Sequence, residues 1–208
     1  VAGLTNGKNG KTHQSSVQPL ALRDIPGVTY LEPYDSVDMF SAMNRALQSN
    51  SDITYIRVHN AKSENSPQVL GERNLSQYVA YEPMPGRPVD LIILTSGCIV
   101  DEAVKASIML SHSQFNTRVI NVVGHSPDSE SLRLLGEGIP ILTAYNGVTS
   151  VLESFLGRLL MLKPGATIPA TSHRGFGFGT TGDYQDLLLH FELDSDSLVS
   201  AGEALLVS

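Results

Sequence analysis

The chain has 208 residues, 41% hydrophobic and 17% charged, which is enough apolar material for a core in one large domain or two small ones. A net charge of −7 argues against nucleic acid or an anionic membrane surface as the main partner. Cys98 is the sole cysteine, which excludes an internal disulfide and a cysteine-based zinc site and fits a reducing, cytoplasmic setting.

The longest apolar run, around residues 91–94, is far short of a membrane span, and no signal peptide is visible. The first residue is Val1 rather than Met, so a processed, trimmed or excised piece is expected.

The opening stretch VAGLTNGKNGKTHQSS contains Gly10-Lys11-Thr12, which invites comparison with a phosphate-binding P-loop. That motif needs a glycine where Thr5 stands, because its first glycine lets the backbone curl around phosphate. It also needs a buried strand before it and a helix after it. Residues 1–4 are too few for the strand, and residues 15–19, ending in proline, are a poor helix start. Two readings stay open on these residues alone: a Gly/Asn turn, or a different site at His13.

Residues 27–33, GVTYLEP, read as a short strand ended by Pro33. Asp35 is placed to cap the next helix, with Asp38 favouring its N-terminus. Val37, Phe40, Met43, Ala46 and Leu47 recur at helical spacing and give one apolar face, and Asn50 ends the helix. Residues 53–58 form the next strand, so 27–60 read as a β-α-β unit. Over residues 62–88 Ser, Glu, Asn, Pro, Gly and Arg cluster, as in a linker, with room for a short strand at 77–81.

A second unit comes after the linker. Residues 90–97 are a buried strand ending in glycine, and 100–110 a helix with Val100, Ala103, Val104, Ser107 and Ile108 inward. Strand 118–123, short helix 129–135, strand 139–145 and helix 148–160 come next, then an edge strand at 167–171 and closing helices at 183–191 and 195–206. The repeated β-α-β rhythm with near-continuous apolar strands predicts a parallel sheet covered on both faces. Residues 177–182, GFGTTG, fit the dinucleotide pattern G-x-G-x-x-G, but the residues after Gly182 read as helix and leave no second strand. A glycine-rich turn packed closely on neighbouring backbone is expected there.

Residues 7–14, GKNGKTHQ, are similar to the Gly-Glu-Asp-Gly-Pro-Thr-His-Gln stretch of transketolases. The likeness continues through an apolar helix at 17–22, the turn Ile25-Pro26-Gly27, a strand at 28–32 and Pro33-Tyr34-Asp35. Where the family's next strand ends in Ser-Arg-Gln-Asn, residues 56–60 keep Arg57 and Asn60. The family's closing Phe-Gly-x-Ser-Gly turn corresponds to 178–182. Residues 190–194, HFELD, also resemble the end of homodimeric pyruvate dehydrogenase E1 chains.

The resemblance implies an α/β fold built as the last third of such an enzyme. Residues 1–61 form the second half of a pyrimidine-binding β-α-β region, and 62–88 a linker. Residues 89–208 form a three-layer α/β domain of the transketolase C-terminal type, with a mainly parallel sheet and an edge strand. It implies thiamine diphosphate and Mg2+ in the complete enzyme, with neither expected on this chain alone. The pyrophosphate-binding domain and the first half of the pyrimidine-binding domain are outside this sequence. Those portions would be the partner, on the same or a separate polypeptide, in a dimer. The implied reaction is transfer of a two-carbon ketol unit between sugar phosphates. Two alternatives are a non-catalytic dimerisation domain and the C-terminal part of a pyruvate dehydrogenase E1-type enzyme, whose 2-oxo acid substrate would leave Arg57 idle.

By resemblance, His13 is the substrate-contacting histidine, and an imidazole on a glycine-flanked loop suits proton exchange near neutral pH. Arg57, at a strand end, is the arginine that grips a sugar phosphate; the alternative is an ion pair with Asp52 or Glu64. Asn9 stands where the family has an acid that contacts a substrate hydroxyl, and Lys8 and Lys11 replace an acid and a proline. The more basic loop suits a more anionic or differently shaped acceptor. The family's upstream phosphate-contacting histidine aligns with Val1. His59, His112, His125, His173 and His190 show no metal spacing and read as loop or packing residues. Residues 1–60 are expected to lean on the C-terminal domain or another subunit, with Val28, Tyr30, Phe40 and Met43 near that contact.

Overall fold

The computed structural model describes residues 3–48, 53–61, 73–163 and 169–207. Val1, Asn50, Asp52, Glu64 and Thr167, each used in an expectation above, lie outside the described residues, as does the 62–72 part of the linker.

The chain enters through a 3-10 stretch, Gly3–Asn9, kinked at Asn6, and a 3-10 turn, Lys11–His13. Helix α1 is Gln18–Leu22, with Pro19 in its first turn, where a missing N–H costs nothing. Strand β1 (Val28–Leu31), helix α2 (Ser36–Gln48) and strand β2 (Ile53–Ile56) then make a β-α-β unit whose two strands pair in parallel. Asp35 caps α2: its Oδ1 accepts the N–H groups of Val37 and Asp38, both at 3.0 Å.

The apolar face of α2 is not the face that packs. Phe40 is 68% exposed and Leu47 81%, and Val37 and Met43 are also exposed. The helix turns Asp38 and Ala42 inward. Asp38 accepts the Tyr78 hydroxyl at 2.8 Å and the Asn121 amide at 3.2 Å, with Arg73 3.3 Å away. Of the four residues expected near a contact with the C-terminal domain or another subunit, Tyr30 is buried against His125 of the C-terminal domain, whereas Phe40 and Met43 face outward.

The larger sheet has five strands: β3 (Gln77–Tyr81), β4 (Leu91–Thr95), β5 (Thr117–Val122), β6 (Ile141–Ala144) and β7 (Thr171–Arg174), in the order β3-β5-β4-β6-β7. All neighbours are parallel except β3, which runs antiparallel to β5. The short strand expected within the linker is therefore an edge of this sheet. The expected edge strand near 167–171 is β7, beginning at Thr171.

Every residue of β4 and β6 is buried, which the covered-sheet reading requires. Leu91, Ile93, Val119 and Leu142 face helices α3 (Val100–His112), α6 (Tyr184–His190) and α7 (Ser195–Leu206). Ile92, Leu94, Ile120 and Ile141 face α4 (Ser129–Leu135) and α5 (Ser150–Leu162). In α3, Val100, Ala103, Val104 and Ser107 point inward as expected, but Ile108 is 40% exposed and Leu110 takes the inner position. The helical period carries Ile108 past the edge of the buried stripe. Asp128 and Asp194 cap α4 and α7. Among the described residues no helix is long and apolar enough to cross a membrane.

The β1–α2–β2 unit is joined to the larger sheet by backbone as well as side chains. Leu31 forms an antiparallel bridge to Gly124, and the Glu32 N–H donates to the Val123 carbonyl at 2.7 Å. Both join the C-terminal end of β1 to the loop leaving β5, and the candidate site lies at this seam.

Candidate functional site

The loop carrying His13 and Asn9 is held from beneath. The Gly3 N–H donates to the Gln14 carbonyl at 2.7 Å, and the Leu4 N–H to Asn146 Oδ1 at 2.8 Å. Gln14 is buried and its amide donates to the Thr180 carbonyl at 2.6 Å. Ser16 Oγ donates to the Gly177 carbonyl at 2.8 Å. The loop therefore sits on the 177–182 turn, where a side chain at Gly179 would overlap the Gln14 amide. The glycine motif is thus a turn, but Gly179 and Gly182 pack closely on the side chains of Gln14 and Leu187 rather than on the backbone expected, and a Cβ at Gly177 would meet no atom within 4 Å.

On that platform His13 and Asn9 are exposed. His13 Nδ1 lies 3.2 Å from the Thr12 hydroxyl. Asn6 links the two residues: its amide donates to the His13 carbonyl at 3.4 Å, and its Oδ1 accepts from Asn9 at 3.5 Å. Lys8 does not add free charge to the loop, because Asp183 sits 2.8 Å from its ammonium. Lys11 lies over the Phe178 ring, 4.9 Å from its centre. The basic character expected of this loop thus rests on Lys11.

Arg57 is not on this surface. Strands β1 and β2 pair with Leu31 opposite Ile56, so Glu32 and Arg57 emerge side by side at their C-terminal ends. Arg57 is 3% exposed and Glu32 fully buried. Arg57 Nη1 donates to Glu32 Oε1 at 2.6 Å and to the Tyr145 hydroxyl at 3.3 Å, and Nη2 to the Asn146 carbonyl at 2.8 Å. Among the described residues the ion-pair partner is Glu32; Asp52 and Glu64, the partners considered from sequence, lie outside the described residues. Glu32 Oε2 accepts the hydroxyls of Tyr145 at 2.7 Å and Tyr30 at 3.1 Å. His59 Nε2 lies 3.4 Å and His125 Nε2 3.8 Å from this carboxylate.

Burial alone would raise the Glu32 carboxyl, but Arg57, His59, His125 and the Tyr145 hydroxyl outweigh it and hold the group below the ordinary carboxylate range. Burial pulls Arg57 down, and Glu32 more than reverses this. Burial pushes both His59 and His125 down to about 4, so they are neutral at physiological pH. Cys98, beside this cluster, accepts the Asn146 amide at 3.0 Å, and burial pushes its thiol up to about 12. It is no nucleophile at neutral pH.

Asn146 joins the two regions. Its Oδ1 holds the loop at Leu4, and its carbonyl holds Arg57. The structure brings His13 and Asn9 together and places Arg57 in the floor behind them. Sequence reasoning missed Glu32, Tyr145 and Asn146. For Glu32 a signal was present: two opposite charges directly following two neighbouring parallel strands. Among the described residues no three His, Cys, Asp or Glu side chains are grouped as a metal site requires.

A β-α-β unit, a five-stranded mixed sheet and a histidine loop clamped to a glycine turn mark this chain as the C-terminal part of a transketolase-like protein. The comparisons give the particulars. The chain is 30% identical to 1-deoxy-D-xylulose-5-phosphate synthase from Listeria monocytogenes serotype 4b over 200 residues, 87% of this chain and 32% of that protein. It is 30% identical to the 6-deoxy-6-sulfo-D-fructose transketolase subunit SqwH of Clostridium sp., covering 69% of this chain and 44% of that subunit. Its fold matches transketolase from Leishmania mexicana with a TM-score of 0.78 at 22% identity, over 99% of this chain and 29% of that one. The chain thus spans less than half the length of these relatives. No family model matches it.

Proposed function

We propose that this chain supplies the C-terminal portion, as part of a longer polypeptide or as a separate subunit, of a transketolase-type enzyme. The enzyme moves a two-carbon ketol unit between sugar phosphates or similarly anionic sugars, and the chain is not competent alone. The observation that carries this reading is the loop: residues 3–14 are anchored at Gly3, Leu4 and Gln14, while His13 and Asn9 stay exposed above the anchor. A rigid support with free polar groups is what a substrate-positioning element needs. The relative from Clostridium is itself named a subunit, which supports a divided enzyme.

Thiamine diphosphate, bound with Mg2+ by the complementary portion, supplies the electron sink that makes cleavage next to a ketone possible. The chain's own residues handle the substrate. His13 donates to a carbonyl oxygen or takes a hydroxyl proton, and Asn9 offers a hydrogen bond to a neighbouring hydroxyl. Arg57, locked to Glu32, Tyr145 and Asn146, is the positioning residue that fixes the floor on which the loop stands. The exposed stripe of Val37, Phe40, Met43 and Leu47, continued by Ile53, is the face for the rest of the pyrimidine-binding region and for dimer contacts.

The test is reconstitution. The chain is purified alone and together with a pyrophosphate-binding portion plus first-half pyrimidine-binding portion. Ketol transfer is then measured with phosphorylated sugars. Activity in the mixture and none in the chain alone is expected. Micromolar thiamine diphosphate binding by the chain alone, measured by calorimetry with Mg2+, overturns the division of labour.

A further inference from the structure

A second polar cavity lies on the seam, away from the His13 loop. It measures about 160 Å3 and lies between the end of α1, strand β1, helix α2 and the loop leaving β5. Its polar lining includes Arg23, Arg45, His125, Thr29, Ser76 and Ser126, and no carboxylate lines it. It shares no residue with the loop 3–14.

Two of these side chains are deeply buried with unmet donors. The Arg23 side chain is 5% exposed; its Nη1 donates to the Val151 carbonyl at 2.7 Å. Its Nε has no hydrogen-bond partner among the described residues, although Asp24 Oδ1 lies 3.4 Å away as an ion pair. His125 is 2% exposed, and neither ring nitrogen has a hydrogen-bond partner among the described residues. A buried donor left unmet is costly, so such groups call for a ligand.

The charges around the cavity point to the sign of that ligand. Arg45, on the exposed side of α2, has no ion-pair partner among the described residues. Asp24 is shared between Arg23 and Arg158. Two arginines therefore share one aspartate and Arg45 has none among the described residues, in a chain whose net charge is −7. Glu32, whose carboxylate lies 3.8 Å from His125 Nε2, does not line the cavity and is already paired with Arg57. A cation would find no acceptor charge here, and an apolar guest would leave the guanidinium and imidazole donors dry.

We propose that this cavity binds a small tetrahedral oxyanion, a phosphate ion or the phosphate group of a small ester, between Arg23, Arg45 and the His125 ring. Guanidinium forks and an imidazole N–H suit such a ligand, and the volume leaves little room beyond one such group. Because the ligand touches α1, α2 and the loop after β5, it ties the β1–α2–β2 unit to the C-terminal sheet. Bound anion therefore raises the stability of the seam by simple linkage.

The test is a titration of the full chain at neutral pH, monitored by backbone amide NMR at constant ionic strength, with three probes: inorganic phosphate, glycerol phosphate and chloride. Saturable shifts at Thr29, Gly124, His125 and Ser126 are expected with phosphate and not with chloride. Saturation by inorganic phosphate assigns the free ion, and saturation by glycerol phosphate alone assigns the ester. Arg45→Glu, at an exposed position that the fold tolerates, should weaken binding at least tenfold. The inference fails if chloride gives the same shifts, if neither phosphate probe saturates, or if Arg45→Glu leaves the titration unchanged. None of these outcomes bears on the His13 loop, so a failure here leaves the proposed function standing.

Discussion

Glu32 and Arg57 leave adjacent parallel strands at matching positions and meet at 2.6 Å, both almost wholly out of water. Such a pair contributes little net stability over an apolar replacement, but removing one member leaves the other charged and unmatched. Glu32→Ala is therefore expected to destabilise the fold by about 3–5 kcal/mol, seen as a lower urea midpoint. The double variant Glu32→Leu with Arg57→Met should recover much of that loss. Equal destabilisation in single and double variants would show that the tyrosine and asparagine contacts, not the charge pair, matter.

The two histidines beside Glu32 set a pH dependence. His59 faces Glu32 and Arg57, and His125 faces Glu32, Arg23, Arg57 and Arg158, with Tyr30 and Tyr145 against its ring. Both are held near 4 when folded, below their ordinary 6.5. Between these values the unfolded chain binds more protons, so stability rises with pH. It should be full above about pH 7 and fall as pH drops from about 6.5 to 4, with Glu32 adding a further loss at the acid end. Denaturant melts across this range should show that slope in the wild type. A smaller slope is expected in His125→Gln, and an unchanged slope would place the titration elsewhere.

The repeating strands and helices of the C-terminal half were legible because their apolar runs are long and their sheet is buried on both faces. Leu91, Ile93 and Leu142 declare themselves from hydrophobicity alone. The orientation of α2 was not legible. Val37, Phe40, Met43 and Leu47 have the spacing of a core face, yet Asp38, bonded to Tyr78 and Asn121, is the side that packs. Period alone cannot tell which neighbour covers a stripe. His13 and Asn9 were singled out by their loop motif, and the structure leaves both exposed. Glu32 was not, because its role arises from the register of two strands and from Tyr145, 113 positions further along the chain.

The platform beneath His13 depends on glycines. A Cβ at Gly7 would lie 2.5 Å from the Gly182 carbonyl oxygen, a backbone atom that cannot rotate away. Gly7→Ala should cost about 1–3 kcal/mol and speed amide exchange in residues 3–13. Gly177→Ala meets no atom within 4 Å and should stay within about 0.5 kcal/mol of wild type. Equal behaviour of the two variants would show that the close approach at Gly7 does not clamp the loop.

The outward stripe of α2 predicts an assembly defect without a folding defect. Phe40 is 68% and Leu47 81% exposed, so Phe40→Glu with Leu47→Glu adds no buried charge to the chain itself. The melting temperature should be unchanged or higher, while light scattering of the reconstituted mixture should shift to free components. Retained assembly in this variant would move the docking face elsewhere.

His13 offers the most direct test of the chemistry. It is exposed, and its neighbours Gly10 and Gln14 carry the backbone contacts of the turn, so His13→Ala should leave stability within about 0.5 kcal/mol. If its imidazole moves a proton at the substrate, the reconstituted enzyme should lose about 10²–10⁴-fold in turnover. Loss of an interaction made mainly in the transition state lowers kcat and kcat/KM together, whereas loss of simple substrate binding raises KM alone. Asn9→Ala should show the second pattern, since a single neutral hydrogen bond to a hydroxyl is worth about 0.5–1.5 kcal/mol in both states. Full turnover in His13→Ala would reduce the loop to a structural element and pass the proton transfers to the complementary portion.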